Sequence, residues 1–335
     1  MKIADIGEQG LLEKLQRFCP SEIVGDDAAV LETVPNTSLV VTTDVLIDGV
    51  HFSDRTTSAE DAGWRAAAAN LSDLAAMGAS PVGITVGLGL RGDVSVTWVE
   101  DLYRGLTQCL ETHNTPIVGG DIVRSPVISI AITAFGRVRK SQTIYRNRAQ
   151  VGDAIVVTGI HGAASAGLEL LLDPQKGENL TESERAALIE AHQRPQPRLD
   201  VLPILWDILN SQDSEFASPR VAGMDSSDGL ADAIFQICRA SNVGAAIERN
   251  RIILHPAMKK LLGKAAQIES ALYGGEDFQL VLCLPKEPAV KLVQSLDANA
   301  AIIGTITAGS TILLTDETGN FNDKPLSLKQ SFQHF

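Results

Sequence analysis

Apolar residues recur along this chain with two periods, and the alternation of those periods predicts its elements. Between 58 and 78 the positions Trp64, Ala67, Ala68, Leu71, Leu74 and Ala75 return every three or four residues, which predicts a helix with one buried stripe. Ser58-Ala59-Glu60-Asp61 has the form of a capping-box start to that helix. Gly78 stands where a left-handed C-terminal cap belongs, and Pro81 forbids continuation. The same spacing predicts helices over 7–18, 96–113, 161–172, 181–193, 198–210, 230–241 and 287–296. Runs of β-branched residues predict strands at 38–43, 81–90, 127–138, 154–158, 220–224, 244–248, 278–284, 300–306 and 311–315. Strands interleaved with helices mark an α/β (α+β) chain. Residues 139–153, which carry Arg146 and Arg148, read as a crossover and divide the chain into domains at 1–145 and 146–335.

Composition adjusts this picture in three ways. A length of 335 residues suits two domains, and 44% apolar content with 4% aromatic fits an α/β protein. The formal net charge of −13, without any Lys/Arg run, argues against nucleic acid or an anionic membrane surface as partner. A phosphate substrate would instead need divalent cations as a bridge. Cys19, Cys109, Cys238 and Cys283 are scattered with no CxxC pair, so they are expected as reduced thiols in a cytoplasmic protein. The N-terminal MKIADIGEQG has no hydrophobic core region and no stretch of about 18 apolar residues exists, so neither a signal peptide nor a membrane span is expected.

The candidate chemistry lies in acidic residues that recur in one setting, beside glycine or a small residue at the expected ends of strands. They are Asp26/Asp27, Asp44, Asp121, Asp225/Asp228 and Glu276/Asp277. Strand ends of α/β sheets are where ligands bind. So many carboxylates gathered without cations would repel one another, and hard oxygen donors favour Mg²⁺ bridging to phosphates. Singly, each of these loops reads as an ordinary turn or helix cap; it is their recurrence that points to a site. Asp73 lies at the border of the helix stripe, and reads either as a surface carboxylate or as a metal ligand. Asn70, one turn earlier, is open between supporting Asp73 and lying on the helix surface. His51 follows Asp48-Gly49 and is ambiguous between a structural role and a binding one.

Other chemistries fail on spacing. Gly87 to Gly92 satisfies G-x-G-x-x-G, but Asp93–Val96 delays the helix and no acidic residue ends a second strand about 20 residues on. There is no G-x-x-x-x-G-K-S/T loop, no protein-kinase H-R-D or D-F-G pair, no G-x-S-x-G elbow, and no histidine pair at zinc spacing.

Taken together, GDDAAV at 25–30, TTDVLIDGVHF at 42–52, NLSDLAAMGASP at 70–81, GGD at 119–121, DSSDGL at 225–230 and GGEDF at 274–278 strongly resemble the thiamine-monophosphate kinase family. HQRPQPR at 192–198 and the terminal FQHF extend the match over nearly the whole chain. The family belongs to the aminoimidazole-ribonucleotide-synthetase-like superfamily. The resemblance implies a two-domain fold whose N-terminal domains pair into a homodimer across a shared β-barrel. It also implies ATP-dependent phosphorylation of thiamine monophosphate to thiamine diphosphate, the last step of that biosynthesis, with several Mg²⁺ ions. Carried over by position, Asp27, Thr42, Thr43, Asp44, Asp73, Asp121, Asp225 and Asp228 resemble the metal shell. Tyr103, Gly120, Asp121, Arg146 and Ser227 resemble contacts to ATP, and His51, Glu276 and Phe332 contacts to thiamine monophosphate. Asp44, Asp121 and Arg146 are the expected catalytic set. Two departures stand out. The family usually has a leucine where Ser226 stands, a change expected to touch packing more than chemistry. An aromatic that is often tyrosine is Phe332 here, which can stack on the substrate but offers no hydroxyl.

Two alternatives accompany this reading. One is another ATP-dependent synthetase of the superfamily. A selenophosphate synthetase would want a reactive cysteine in a glycine-rich loop near the N-terminus, and Cys19 before Pro20 is not placed so. The other is a non-catalytic maturation or scaffold protein, which would gain nothing from so many uncompensated carboxylates.

Overall fold

The fold follows from which strands can afford to be apolar on both sides. A computed structural model describes residues 1–20, 31, 33–210, 220–296 and 299–328. The chain forms two compact units, one of Met1–Leu74 with Ala79–Lys140 and one of Ala75–Gly78 with Ser141–Phe335.

In the first unit, helices α1 (Ile3–Leu15), α2 (Ala59–Ala76) and α3 (Val96–Glu111) accompany strands β1 (Thr37–Ile47), β2 (Ser80–Leu90), β3 (Ile117–Arg124) and β4 (Ser129–Arg139). The sheet order is β1-β4-β2-β3, with β4 antiparallel to both neighbours and β3 parallel to β2. Residues alternate strictly along β4, with Ile130, Ile132 and Ala134 wholly buried and Ala131, Thr133 and Phe135 only partly so. The partly covered face continues onto β1, where Leu39, Val41 and Val45 are 62%, 54% and 46% exposed. An apolar sheet face is therefore open in this unit.

The capping signals act as expected. The Ser58 hydroxyl accepts from the Asp61 amide at 3.1 Å and donates to its carboxylate at 2.6 Å. Gly78 takes φ +74° and its amide donates to Ala75 at 2.9 Å, closing the helix. The small-residue stripe has a more specific purpose than its periodicity conveys. A Cβ on Gly63 would stand 2.0 Å from the Leu102 carbonyl oxygen, and one on Gly105 would stand 1.7 Å from that of Glu60. These two glycines let the backbones of α2 and α3 touch, while Gly136 of β4 makes room for Leu74.

Two acidic residues expected in strand-end loops lie inside strands. Asp44 pairs with Ile132 because the β1–β4 ladder continues to Ile47, past the end of the β-branched run. Asp121 pairs with Gly87, since the Gly119-Gly120-Asp121 segment is held in parallel register by β2 despite its loop-like composition.

The second unit is built on a mixed seven-stranded sheet of β5 (Ala154–Val157), β6 (Ala222–Asp225), β7 (Gly244–Glu248), β8 (Leu280–Leu284), β9 (Ala301–Thr307), β10 (Ile312–Thr315) and β11 (Lys324–Pro325). Its order is β11-β10-β7-β9-β5-β8-β6. Around it lie α4 (Ala163–Leu172), α5 (Glu182–Gln193), α6 (Val201–Leu209), α7 (Leu230–Ser241), α8 (Met258–Leu261), α9 (Lys264–Tyr273) and α10 (Lys286–Ser295). Helices α8 and α9 carry no clear apolar period in the sequence, where Gly263 interrupts them. The β5 run Ala154-Ile155-Val156-Val157 is buried throughout because helices cover both sheet faces. Ile155 and Val157 pack with α7 and α9, while Ala154 and Val156 pack with α6 and α10. All four cysteines are free, and among the described residues no helix is long and apolar enough to cross a membrane.

The helix contact in the first unit yields an expectation. Gly105→Ala forces backbone against backbone and should destabilise that unit by about 3 kcal/mol, at the upper end for overpacking. Urea unfolding followed by circular dichroism checks this, and Ser95→Thr at the α3 N-cap should cost far less.

Candidate active site

The first unit presents its polar groups on two sides of one sheet. On β1 the Thr42 hydroxyl donates to the Asp73 carboxylate of α2. Asp44 lies two residues along the same strand, so the pleat turns it toward the same face, and all three residues are half-buried. Thr43 alternates to the open face, where its hydroxyl is 2.9 Å from that of Thr133. Asp121 is exposed on the edge strand β3, its Oδ1 accepting from the Ile122 amide at 2.9 Å. Gly120 before it has a steric cause, since a Cβ there would stand 2.2 Å from the Val86 carbonyl oxygen.

In the turn after β1, His51 Nδ1 accepts from the Ile47 amide at 3.0 Å, which leaves Nε2 to carry the proton of the neutral ring. The buried Arg65 supports this turn through a 3.2 Å bond from Nη2 to the His51 carbonyl. Asn70 is wholly buried, not on the helix surface. Its amide donates back to the Ala66 carbonyl at 3.0 Å, and its Oδ1 has no partner among the described residues. Tyr103, expected as an ATP contact, is 5% exposed and packs 5.5 Å from the Phe18 ring, and burial pushes its phenol well above the usual range. The contact visible there is core packing. Asp26, Asp27 and Phe332 lie outside the described residues.

In the second unit the sheet order itself assembles the site. Strand β8 runs antiparallel between β5 and β6, so the start of β8 lies at the same edge as their ends. The segments 158–162, 225–229 and 274–279 are therefore neighbours. Asp225 closes β6, is 3% exposed, and accepts from the Ser227 hydroxyl at 3.2 Å. Asp228 is exposed beyond it. Gly229 has φ +101° and opens α7. Glu276 takes φ +70°, and its amide donates to the Ser227 carbonyl at 2.7 Å. Its carboxylate is 3.4 Å from Nδ1 of the buried His192 in the last turn of α5. Exposed Arg146, before α4, has its carbonyl held by the Ser241 hydroxyl at 2.8 Å. Asp232 on the first turn of α7 is pushed up by burial and by neighbouring Asp228, with the Arg146 charge opposing, which places these three together.

Further polar residues hold this edge in place. Asp277 caps α4, with Oδ2 accepting from the Gly162 amide at 2.6 Å and Oδ1 from Ala164 at 3.0 Å. Burial pushes its carboxyl up to about 7 against those donors. Arg198, within the HQRPQPR segment, donates to the Gln279 side-chain oxygen at 2.8 Å and pairs with Asp200 at 2.9 Å. His161 and Asp232 are buried and half-buried partners found only from the packing, as is the contact of His192 with Glu276.

The oxygen donors suit Mg²⁺. Among the described residues no three His, Cys, Asp or Glu groups converge on one point.

Comparison with known proteins agrees with these motifs. Residues 25–138 match the AIR synthase related protein N-terminal domain, and residues 150–316 match the AIR synthase related protein C-terminal domain. The thiamine-monophosphate kinase of Synechococcus elongatus is 49% identical over 336 residues, covering 99% of this chain and 98% of that protein. The crystal structure of thiamine-monophosphate kinase from Stenotrophomonas maltophilia superposes with a TM-score of 0.77 at 34% identity, covering 90% of this chain and 94% of that one. AaThiL complexed with AMPPCP and TMP superposes with a TM-score of 0.72 at 31% identity, covering 97% and 98%. This chain belongs to the thiamine-monophosphate kinase family.

Proposed function

We propose that this protein transfers the γ-phosphoryl group of ATP to thiamine monophosphate, giving thiamine diphosphate and ADP. The observation that carries the reading is 49% identity to a thiamine-monophosphate kinase across 99% of the chain. A phosphate oxygen of thiamine monophosphate attacks the γ-phosphorus in line. The new O–P bond forms as the bond to the β,γ-bridging oxygen breaks. That nucleophile is already ionised at neutral pH, so no general base is needed, and positioning with charge neutralisation supplies the rate.

In the first unit Asp27, Thr42, Thr43, Asp44, Asp73 and Asp121, and in the second Asp225 and Asp228, would hold Mg²⁺ through their oxygens. Held there, Mg²⁺ would supply charge neutralisation for the phosphates. Support comes from the hard-oxygen character of the set, and from the Thr42–Asp73 and Ser227–Asp225 bonds that orient two of the carboxylates. Gly120 and Ser227 contact ATP, and Arg146 adds positive charge at the triphosphate. His51 offers its Nε2–H, Glu276 its carboxylate and Phe332 its ring to thiamine monophosphate. A cytoplasmic protein fits the four free thiols.

The first unit acts as a homodimer across its open sheet face. Support comes from Leu39, Val41 and Val45, which leave an apolar stripe exposed on edge strand β1. A second argument concerns the site itself. Asp44 and Asp121 lie on the two edge strands, three strand spacings apart, or about 14 Å. Two aspartates ligating one Mg²⁺ directly span at most about 11 Å between Cα atoms, given ligand distances near 2.1 Å. Edges brought together from two copies would place Asp121 of one near Asp44 of the other.

Incubation with ATP, Mg²⁺ and thiamine monophosphate should yield thiamine diphosphate by chromatography, and unphosphorylated thiamine should not react. Asp44→Ala or Asp121→Ala should lower the rate by about a hundredfold or more with the circular dichroism spectrum unchanged. A near-normal rate contradicts the assignment. Sedimentation should show a dimer that Val41→Glu with Val45→Glu converts to a monomer, and a monomeric wild-type chain contradicts the pairing.

A further inference from the structure

We propose that a buried Ser226–His161 hydrogen bond positions the turn from Asp225 to Gly229 for Mg²⁺·ATP, which makes both side chains positioning residues. The inference rests on the kinase reading above and assigns a task to two side chains that reading leaves without one.

Both side chains are fully buried, at 0% exposure. The Ser226 hydroxyl has two partners. It lies 3.1 Å from His161 Nε2 and accepts from the Gln279 amide at 3.2 Å. His161 Nδ1 lies 3.1 Å from the Gly159 carbonyl, which can only accept, so Nδ1 carries the proton and Nε2 accepts from the serine. Burial holds the ring neutral, with its pKa lowered to about 4. Each donor and acceptor of the pair is thereby used, which is the condition for a polar group to be tolerated in a core.

The placement gives the pair its consequence. His161 sits in the loop after β5 and Ser226 in the turn after β6, with β8 lying between those strands. The bond ties two loops across the start of β8. The His161 side is itself anchored, because Asp277 caps the amides of Gly162 and Ala164 immediately after it. On the Ser226 side the turn is closed by the Gly229 amide bonding to the Ser226 carbonyl at 3.1 Å. The orientation of the turn then sets the Asp225 carboxylate, the Ser227 hydroxyl bonded to it, and the Ser227 carbonyl on which the Glu276 amide rests. A leucine at 226 would make neither of the serine's bonds and would leave His161 Nε2 buried without a donor. In this chain the serine and the histidine are a matched pair.

The test uses the full-length chain and steady-state kinetics with Mg²⁺, ATP and thiamine monophosphate. Ser226→Ala and His161→Phe should each raise KM for Mg²⁺·ATP about tenfold with kcat within about threefold, the loss expected for one buried partner. The double variant should resemble either single one, since both remove the same bond, giving about tenfold and not about a hundredfold. Ser226→Thr keeps the hydroxyl and should restore KM. A lowered melting temperature with unchanged KM, multiplying effects in the double variant, or failure of threonine to restore KM would each overturn the proposal. The ¹⁵N spectrum of the wild-type imidazole gives a check that needs no variant. A protonated Nδ1 with bare Nε2 is expected; the opposite tautomer would reverse the Ser226–His161 bond and break the one from Nδ1 to the Gly159 carbonyl, contradicting the arrangement proposed. If the wild-type chain binds Mg²⁺·ATP yet makes no thiamine diphosphate, the kinase reading fails. Calorimetric Kd values for Mg²⁺·ATP then decide the positioning claim by the same fold-changes.

Discussion

An antiparallel strand set between two others turns its own beginning toward their ends, and the second unit depends on this constraint. With β8 between β5 and β6, three loops that are far apart in sequence become neighbours at one sheet edge. The strands can be short because they are apolar on both faces, buried between α7/α9 and α6/α10. Rigidity comes from that burial, and chemistry is confined to the edge where the backbone ladders stop. Within it, polar groups are held by other polar groups: Asp277 by two amides, Gln279 by Arg198, Ser226 by His161, and Glu276 by His192.

The first unit solves a different problem. Its helices cover only one face of a four-stranded sheet, and they do so at backbone contact through Gly63 and Gly105. This leaves acidic and hydroxyl groups on β1 and β3 at opposite edges, with an apolar face exposed between them. An overall charge of −13 makes such carboxylates a liability unless cations share the site. The electrostatics support the proposed cation site, and the open face supports the proposed pairing of two copies.

Much of the architecture was legible in the sequence because its signals are local. Ser58 and Gly78 bound α2 by capping chemistry that any helix must satisfy. Apolar period located most helices and strands to within a few residues. The errors came where pairing partners decide. Asp44 and Asp121 looked like loop residues, yet ladders with β4 and β2 carry them into strands. Asn70, read as open to the surface or to Asp73, is wholly buried. Ser226 looked like a packing change because its partner is 65 residues away, at His161. Tyr103 shows why a residue match needs its environment, since the ring lies in a core against Phe18. The acidic motifs were visible as a set. Which groups orient them was not, because His192, Asp232 and Arg65 reach the site only through tertiary packing.

The central claim is that these carboxylates hold phosphate only through bridging cations. Calorimetric titration of ATP into the protein, with Mg²⁺ present and then with the metal removed by chelation, tests it most directly. The account predicts tight binding with Mg²⁺ and none measurable without it. Equal affinity in the two conditions would contradict it.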